Sequence, residues 1–451
     1  MAALGLAPRL AAAQAVEPRL VLVSSVGYND NVANAPEYPK DGSAAPVGDG
    51  FFQVTPSASL TYSTPRSSGR MFYAFDARLN FTRPVADTYG HKLGFDASYA
   101  LDPTLDLGGS FSGKLGRLGV MSATDLATET LAESLPEGLF YYIDINASQS
   151  LTKAFTPRLR LKEDYSYTQR FTYESIADFG GDPKLNRVLA GAASRRATNS
   201  ATLRLERDFE FDMLGPALSV AYQETTLSRV LGSYYGVWKH DYQHLGALGL
   251  ISQVDAGFVQ LFDPKTPGRQ IWQPIAAATV SYDDGDSAQI AAVYTHTPKA
   301  NLINGRLSFI DSWTLRGSAP LDRDGEYALS GSVVYERDLQ IDSDGSYGDP
   351  QHIFLFDSQA TYSPELRALQ MLRFSLRFTR RLQLPMPTAR TGFVAFEGSA
   401  ADTMMFSVAA AWPAREDYRN PFVLAPSTPP TTSTDVLTDS APEAAAPEAS
   451  P

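Results

Sequence analysis

The chain has 451 residues, 43% of them hydrophobic and 11% aromatic, with 50 acidic against 38 basic side chains and no cysteine. The missing cysteines exclude disulfides, thiolate zinc sites and thiol nucleophiles, and no apolar run reaches the roughly 18 residues a membrane-spanning helix needs. The net charge of −12 falls largely between the apolar stretches and near the C-terminus, so it does not by itself indicate a cationic substrate.

The opening stretch, MAALGLAPRLAAAQA, resembles the end of a signal peptide cleaved after Ala15, although Arg9 interrupts its apolar run and a basic start is missing. From about Leu20 onward the chain adopts a period of two, the mark of a β-strand, in which successive side chains point to opposite faces. FFQVTPSASLTYST sets Phe52, Val54, Ala58, Leu60 and Tyr62 against Gln53, Thr55, Ser57, Ser59 and Thr61. RMFYAFDARLNFT alternates from Met71 to Phe81 for about 11 residues, twice the usual soluble strand and close to what a tilted strand needs to cross a bilayer. The pattern recurs at Leu93–Leu101, Leu105–Leu115, Tyr141–Ala147, Trp272–Tyr282, Ala288–Tyr294, Tyr327–Tyr335, Phe354–Tyr362, Leu372–Phe378 and Met404–Trp412. About 18 strands result, sixteen being the other count the pattern permits, and those near 197–228 and 239–262 are the least distinct.

The connections alternate in length. Long gaps fall at 29–49, 117–137, 173–196, 338–350 and 384–401, with shorter ones at 83–90, 229–238 and 297–306. Between them come short turns such as TPRSSG at 64–69, DPT at 102–104, TKAFT at 152–156 and DDGD at 283–286. Short periplasmic turns and long external loops characterise outer-membrane barrels. The fold class expected is therefore all-β: a transmembrane antiparallel up-and-down β-barrel with a polar lumen, both termini periplasmic, and no plug domain before the first strand. Residues 16–412 form the barrel, and 413–451, rich in Pro, Ala, Ser and Thr, form a disordered periplasmic tail. Tyr62, Tyr73, Tyr99, Tyr282, Tyr327, Tyr362 and Trp412 would make one interfacial belt, and Tyr28, Phe52, Phe81, Phe171, Tyr294 and Tyr335 the other.

Half of each strand then faces a lumen. Inward positions include Arg70, Arg78, Arg158, Arg160, Lys162, Arg170, Arg204, Arg373, Arg377 and Arg381, and the acids Asp76, Asp96, Asp106, Asp144, Asp164, Glu206 and Asp357. Two roles suit them: cross-strand ion pairs that hold the wall together, or a charged constriction that selects solutes. RFSLRFTRR favours the second, since Arg373, Arg377 and Arg381 share one face of a strand that carries no acid.

No catalytic pattern appears. G-x-S-x-G is absent, and of the histidines His91, His240, His244, His296 and His352, the pair His240/His244 would lie about 13 Å apart on a strand, too far to share one metal ion. IDSDGSYGD at 341–349 suggests a calcium loop, but Gln351 occupies the position where the motif needs Glu. Neither an enzyme, a cofactor nor a nucleic-acid partner is expected.

In architecture the chain resembles the 18-stranded, plug-free outer-membrane barrels of bacterial exopolysaccharide export, including the alginate exporter and barrels that accompany Wzx/Wzy-type secretion in myxobacteria. The resemblance rests on strand count, arginine-bearing lumen and proline-rich tail over about residues 18–412. It implies passage of an anionic polysaccharide from periplasm to surface, with outer-membrane lipid, lipopolysaccharide and periplasmic export proteins as partners. A general or substrate-selective porin is the alternative, and a structural or assembly barrel of the envelope a third reading.

Overall fold

A computed structural model describes residues 15–31, 46–84, 87–117, 140–175, 195–224, 229–245, 249–262, 270–283, 288–300, 307–322, 326–340, 350–364, 372–384 and 399–412. The leader up to residue 14, the calcium-like stretch at 341–349 and the tail from 413 lie outside them.

Eighteen strands follow in order: β1 (Ala15–Asn29), β2 (Asp49–Ser63), β3 (Ser67–Asn80), β4 (Thr88–Asp102), β5 (Leu105–Arg117), β6 (Phe140–Thr156), β7 (Leu159–Ser175), β8 (Arg195–Asp208), β9 (Asp212–Glu224), β10 (Arg229–Asp241), β11 (Leu250–Phe262), β12 (Gln270–Asp283), β13 (Gln289–Ala300), β14 (Leu307–Pro320), β15 (Tyr327–Gln340), β16 (Gln351–Tyr362), β17 (Leu372–Gln383) and β18 (Ser399–Trp412). Each pairs with its neighbours in sequence, and β1 also pairs antiparallel with β18, from Leu20 opposite Trp412 to Asn29 opposite Thr403. The sheet therefore closes on itself and has no free edge. The start of β1 and the end of β18 lie together at what is called here the near end of the barrel; the opposite end is the far end.

The two faces of each strand differ as the period of two requires. Leu20, Leu22 and Val26 of β1, Leu93 and Phe95 of β4, Trp313 and Leu315 of β14, and Met404 and Phe406 of β18 all project outward and are exposed. On the other face, hydroxyls pair across neighbouring strands: Ser25 with Ser407 at 2.8 Å, Ser110 with Ser148 at 2.6 Å and Ser166 with Ser200 at 2.6 Å. A continuous apolar exterior of this size would drive a water-soluble protein to aggregate. On a closed barrel it is the surface that meets hydrocarbon, while neighbouring strands satisfy the paired wall amides. The chain is thus a membrane-spanning barrel of the outer-membrane type.

Several details depart from the sequence pattern. β1 begins at Ala15, earlier than the first clear alternation near Leu20. Residues 229–238, expected as a gap, lie inside β10, and the link there shortens to 225–228. The 242–249 link at the near end is longer and includes a 3-10 turn, Tyr242–Leu245, and Gly249 at φ 77°, a backbone angle that favours glycine. Tyr73 sits mid-strand, its hydroxyl 2.8 Å from His91 Nδ1, rather than at a belt. Tyr28, Phe52, Phe81, Tyr99, Tyr282, Tyr327 and Trp412 are exposed on the outside at the expected ends.

Candidate functional site

The lumen has two walls of unlike chemistry. From β17 round through β1 to β8 it is charged and hydroxylated, while β16 contributes Asp357 beside the buried Ile353 and Leu355. Because antiparallel register sets residues directly opposite, charges on adjacent strands meet in pairs. Arg70 of β3 reaches Asp96 of β4 at 3.2 Å, and Arg377 of β17 reaches Asp357 of β16 at 2.6 Å. Asp76 accepts hydrogen bonds from Gln53 at 2.8 Å and Thr55 at 2.5 Å, and Arg373 donates to Thr361 Oγ1 at 3.4 Å.

The densest cluster lies on β7 and β8 toward the near end. Glu206 is only 1% exposed and collects three cations: Arg160 Nε at 2.6 Å, Lys162 Nζ at 3.4 Å and Arg204 Nη1 at 3.6 Å. Arg160 also holds Asp208 at 3.3 Å. A carboxylate so buried is tolerable only because its charge is matched on several sides. Arg204 extends the cluster to the hydroxyl of Tyr235 on β10 and to Asp255 on β11, which is 1% exposed and accepts from Gln253 at 3.1 Å. β9 lies between these strands and permits the contact because its inward residues there are small. Ala217 stands in register with both Arg204 and Tyr235.

Beyond β9 the wall turns apolar. Met213, Ala217 and Ala221 of β9, Leu231 and Val237 of β10, Val259 and Leu261 of β11, and Ile275 and Ala277 of β12 form one buried cluster on the inner face. Val259 is 0% exposed, so something covers it. The expectation of a uniformly polar lumen is corrected here: β10 and β11 carry apolar side chains on both faces.

The structure divides the predicted lumen residues. Arg70, Arg160, Arg373, Arg377, Arg381, Asp76 and Asp96 occupy the inner face of their strands and are partly buried, Arg377 with only 14% of its side chain exposed. Arg78, Arg204 and Asp144 also point inward but are buried; Arg78 lies 3.8 Å above the ring of Phe51, itself 1% exposed. Arg158 is not on a strand. It falls in the link between β6 and β7 and is exposed at the near rim, because β6 runs on through Thr156 and the turn takes only residues 157 and 158. The acid-free strand of RFSLRFTRR finds its acid next door, in Asp357. Tyr235, Asp255 and the apolar wall were missed by the sequence reading. Their signal was the loss of alternation in RVLGSYYGVW and LISQVDAGFVQLF, where both parities are apolar.

No protein-family model matches the chain, and no curated protein matches it. Solved structures similar to it include Pseudomonas aeruginosa OccK2 (OpdF), 10% identical over 88% of this chain and 97% of that one, TM-score 0.43. Pseudomonas aeruginosa OpdK, solved with vanillate, is 11% identical over 88% and 99%, TM-score 0.43. A BenF-like porin from Pseudomonas fluorescens Pf-5 is 8% identical over 89% and 100%, TM-score 0.44. At such identities and scores the likenesses carry no argument, and the expected kinship with exopolysaccharide-export barrels finds no support in them.

Proposed function

We propose that the protein is an outer-membrane channel for small solutes, with the near end periplasmic and a preference for anions. The observation that carries the proposal is the inner face of β17. Arg373, Arg377 and Arg381 line it in one file, and within that strand no acid offsets them. Each also has a neighbour on another strand: Asp357 pairs with Arg377, Thr361 accepts from Arg373, and Glu336 of β15 acts on Arg381. Guanidinium groups in a partly desolvated passage bind carboxylate or phosphate through charge-assisted, often bidentate hydrogen bonds, and such files bias permeation by sign. This takes the porin reading over polymer export, since a wall folded inward at the far end leaves less room for a polysaccharide than for a small acid.

The test is a bilayer measurement under a salt gradient, comparing wild type with Arg373→Gln/Arg377→Gln/Arg381→Gln. Outward packing by Leu372, Phe374, Leu376 and Phe378 is untouched, so assembly should persist. The reversal potential should move away from the anion value. An unchanged potential in a heat-modifiable, assembled variant would place the arginines in wall-bracing pairs instead. Fractionation with the outer membrane, and surface exposure of a tag near Gly42 but not of one after Ser433, tests location and direction.

A further inference from the structure

Phe309 of β14 and Leu339 of β15 sit on an unexpected side of the wall. They share parity with Trp313, Leu315, Leu329 and Val333, which are exposed on the outside, yet Phe309 is 0% exposed. Both belong to the buried cluster that contains the inward-facing Leu231, Val259, Leu261 and Ile275. An outward side chain can touch the inner face of other strands only if its own strand lies inside them. The far ends of β13–β15 therefore fold into the lumen, and their outer face covers the apolar inner face of β10–β12.

The sequence supplies the cause. β12 begins at Gln270 and β13 ends at Ala300, but their pairing stops at Ala276 opposite His296. The N–H of Asp283 donates to the carbonyl of Gly249 at 3.0 Å, on the β11 side. Antiparallel geometry alternates hydrogen-bonding direction along a strand, so odd residues of β12 turn their backbone groups to β11 and even residues to β13. Continuing the register one hydrogen-bonding step past Ala276–His296 brings Pro274 opposite Pro298. Neither has an N–H to donate. Both bonds of that pair are lost, and the two strands part there.

The strands beyond the seam stay together. β13 pairs with β14 as far as Ala300–Leu307, and β14 with β15 as far as Ser308–Gln340. Asp311 ties all three: its Oδ1 lies 2.5 Å from His296 Nδ1 and accepts from the Tyr294 hydroxyl at 3.4 Å, while its Oδ2 accepts from Arg337 Nε at 2.8 Å and from Arg337 Nη2.

We infer that the far ends of β13–β15 are a gate, a three-strand flap that narrows the lumen while Phe309 and Leu339 rest on the apolar wall and widens it when the flap swings out to the β12 edge. The inference rests on the channel reading, and the labelling experiment below tests it independently of that reading. In bilayers, Phe309→Ala/Leu339→Ala removes the contact that holds the flap in, and mean conductance should rise roughly twofold. Pro274→Val/Pro298→Val restores both donors and should do the same. With no native cysteine, Gln273→Cys/Lys299→Cys places one pair across the next positions of the extended register. Its disulfide should hold the gate open and dithiothreitol should reverse the gain. Unchanged or lower conductance in variants that keep wild-type heat-modifiable migration overturns the gate. If the proline variant does not assemble, the other two decide. Val259→Cys gives a reading without conductance: a maleimide should label it faster in the Phe309→Ala/Leu339→Ala background, and equal rates overturn the gate. A wild-type protein that conducts nothing would overturn the channel reading alone.

Discussion

β6–β8 and β9–β12 are consecutive stretches of one wall, both apolar outside, yet they present opposite chemistry to the lumen. On β7 and β8 the inner face is Arg160, Lys162, Arg204 and Glu206, held by mutual charge. On β10–β12 it is Leu231, Val259, Leu261 and Ile275, covered by the infolded Phe309 and Leu339. A lumen residue can thus be kept from water in two ways: by neutralisation among neighbours on the same sheet, or by a second layer of sheet laid over it. β9 is the frontier, and its small inward residues let each side reach the other. A Cβ at Gly215 would run into the Leu205 carbonyl, so even the backbone approach there depends on smallness.

The largest break in that comparison is expected at Glu206. Glu206→Ala leaves Arg160, Lys162 and Arg204 without their shared carboxylate, and a buried ion cluster that loses one member costs about 3–5 kcal/mol. The midpoint of urea unfolding, followed by tryptophan fluorescence in detergent, should fall accordingly; a small shift would mean that water enters the cluster freely. On the other wall, Ile275→Ala deletes buried methyl groups beneath the flap. It should cost about 2–4 kcal/mol by the same assay, with little change in ion selectivity because no charge is altered. At the frontier, Ala217→Leu forces bulk between Arg204 and Tyr235 and should cost about 1–3 kcal/mol through overpacking. Stability unchanged by this substitution would show that β8 and β10 do not depend on touching across β9. The smallest effect is expected at Arg158, exposed in its two-residue link. Arg158→Ala should stay within about 0.5 kcal/mol and leave the reversal potential alone, in contrast to the β17 arginines.

Much of this architecture is legible along the chain, and the exceptions are instructive. Where one face is lipid and the other wet, as in β3 and β4, alternation is strong and register and facing follow from it. In β10 and β11 both faces are apolar, so periodicity weakens just where the inner wall changes character; a strand buried on both sides carries no period-two signal. Arg158 was misplaced for a different reason. The turn read at 152–156 belongs to β6, which runs on through Thr156, so Arg158 falls in the two-residue link rather than on the next strand. Arg78 and Asp144 were placed on the correct face, but their burial was invisible because it depends on what lies beside them.

The amino-acid sequence by itself determined the closed barrel of alternating strands, its apolar exterior and its arginine-bearing interior, because each of these is written locally, residue by residue, in a period of two. It also carries Pro274 and Pro298, although their meaning emerges only when the register sets them opposite each other, 24 positions apart in the chain. Tertiary structure alone decided which lumen charges are neutralised, and that an outward-set Phe309 would end up inside the barrel. Those outcomes depend on pairings across strands and on one stretch of wall folding over another, and no local pattern encodes the distance between them.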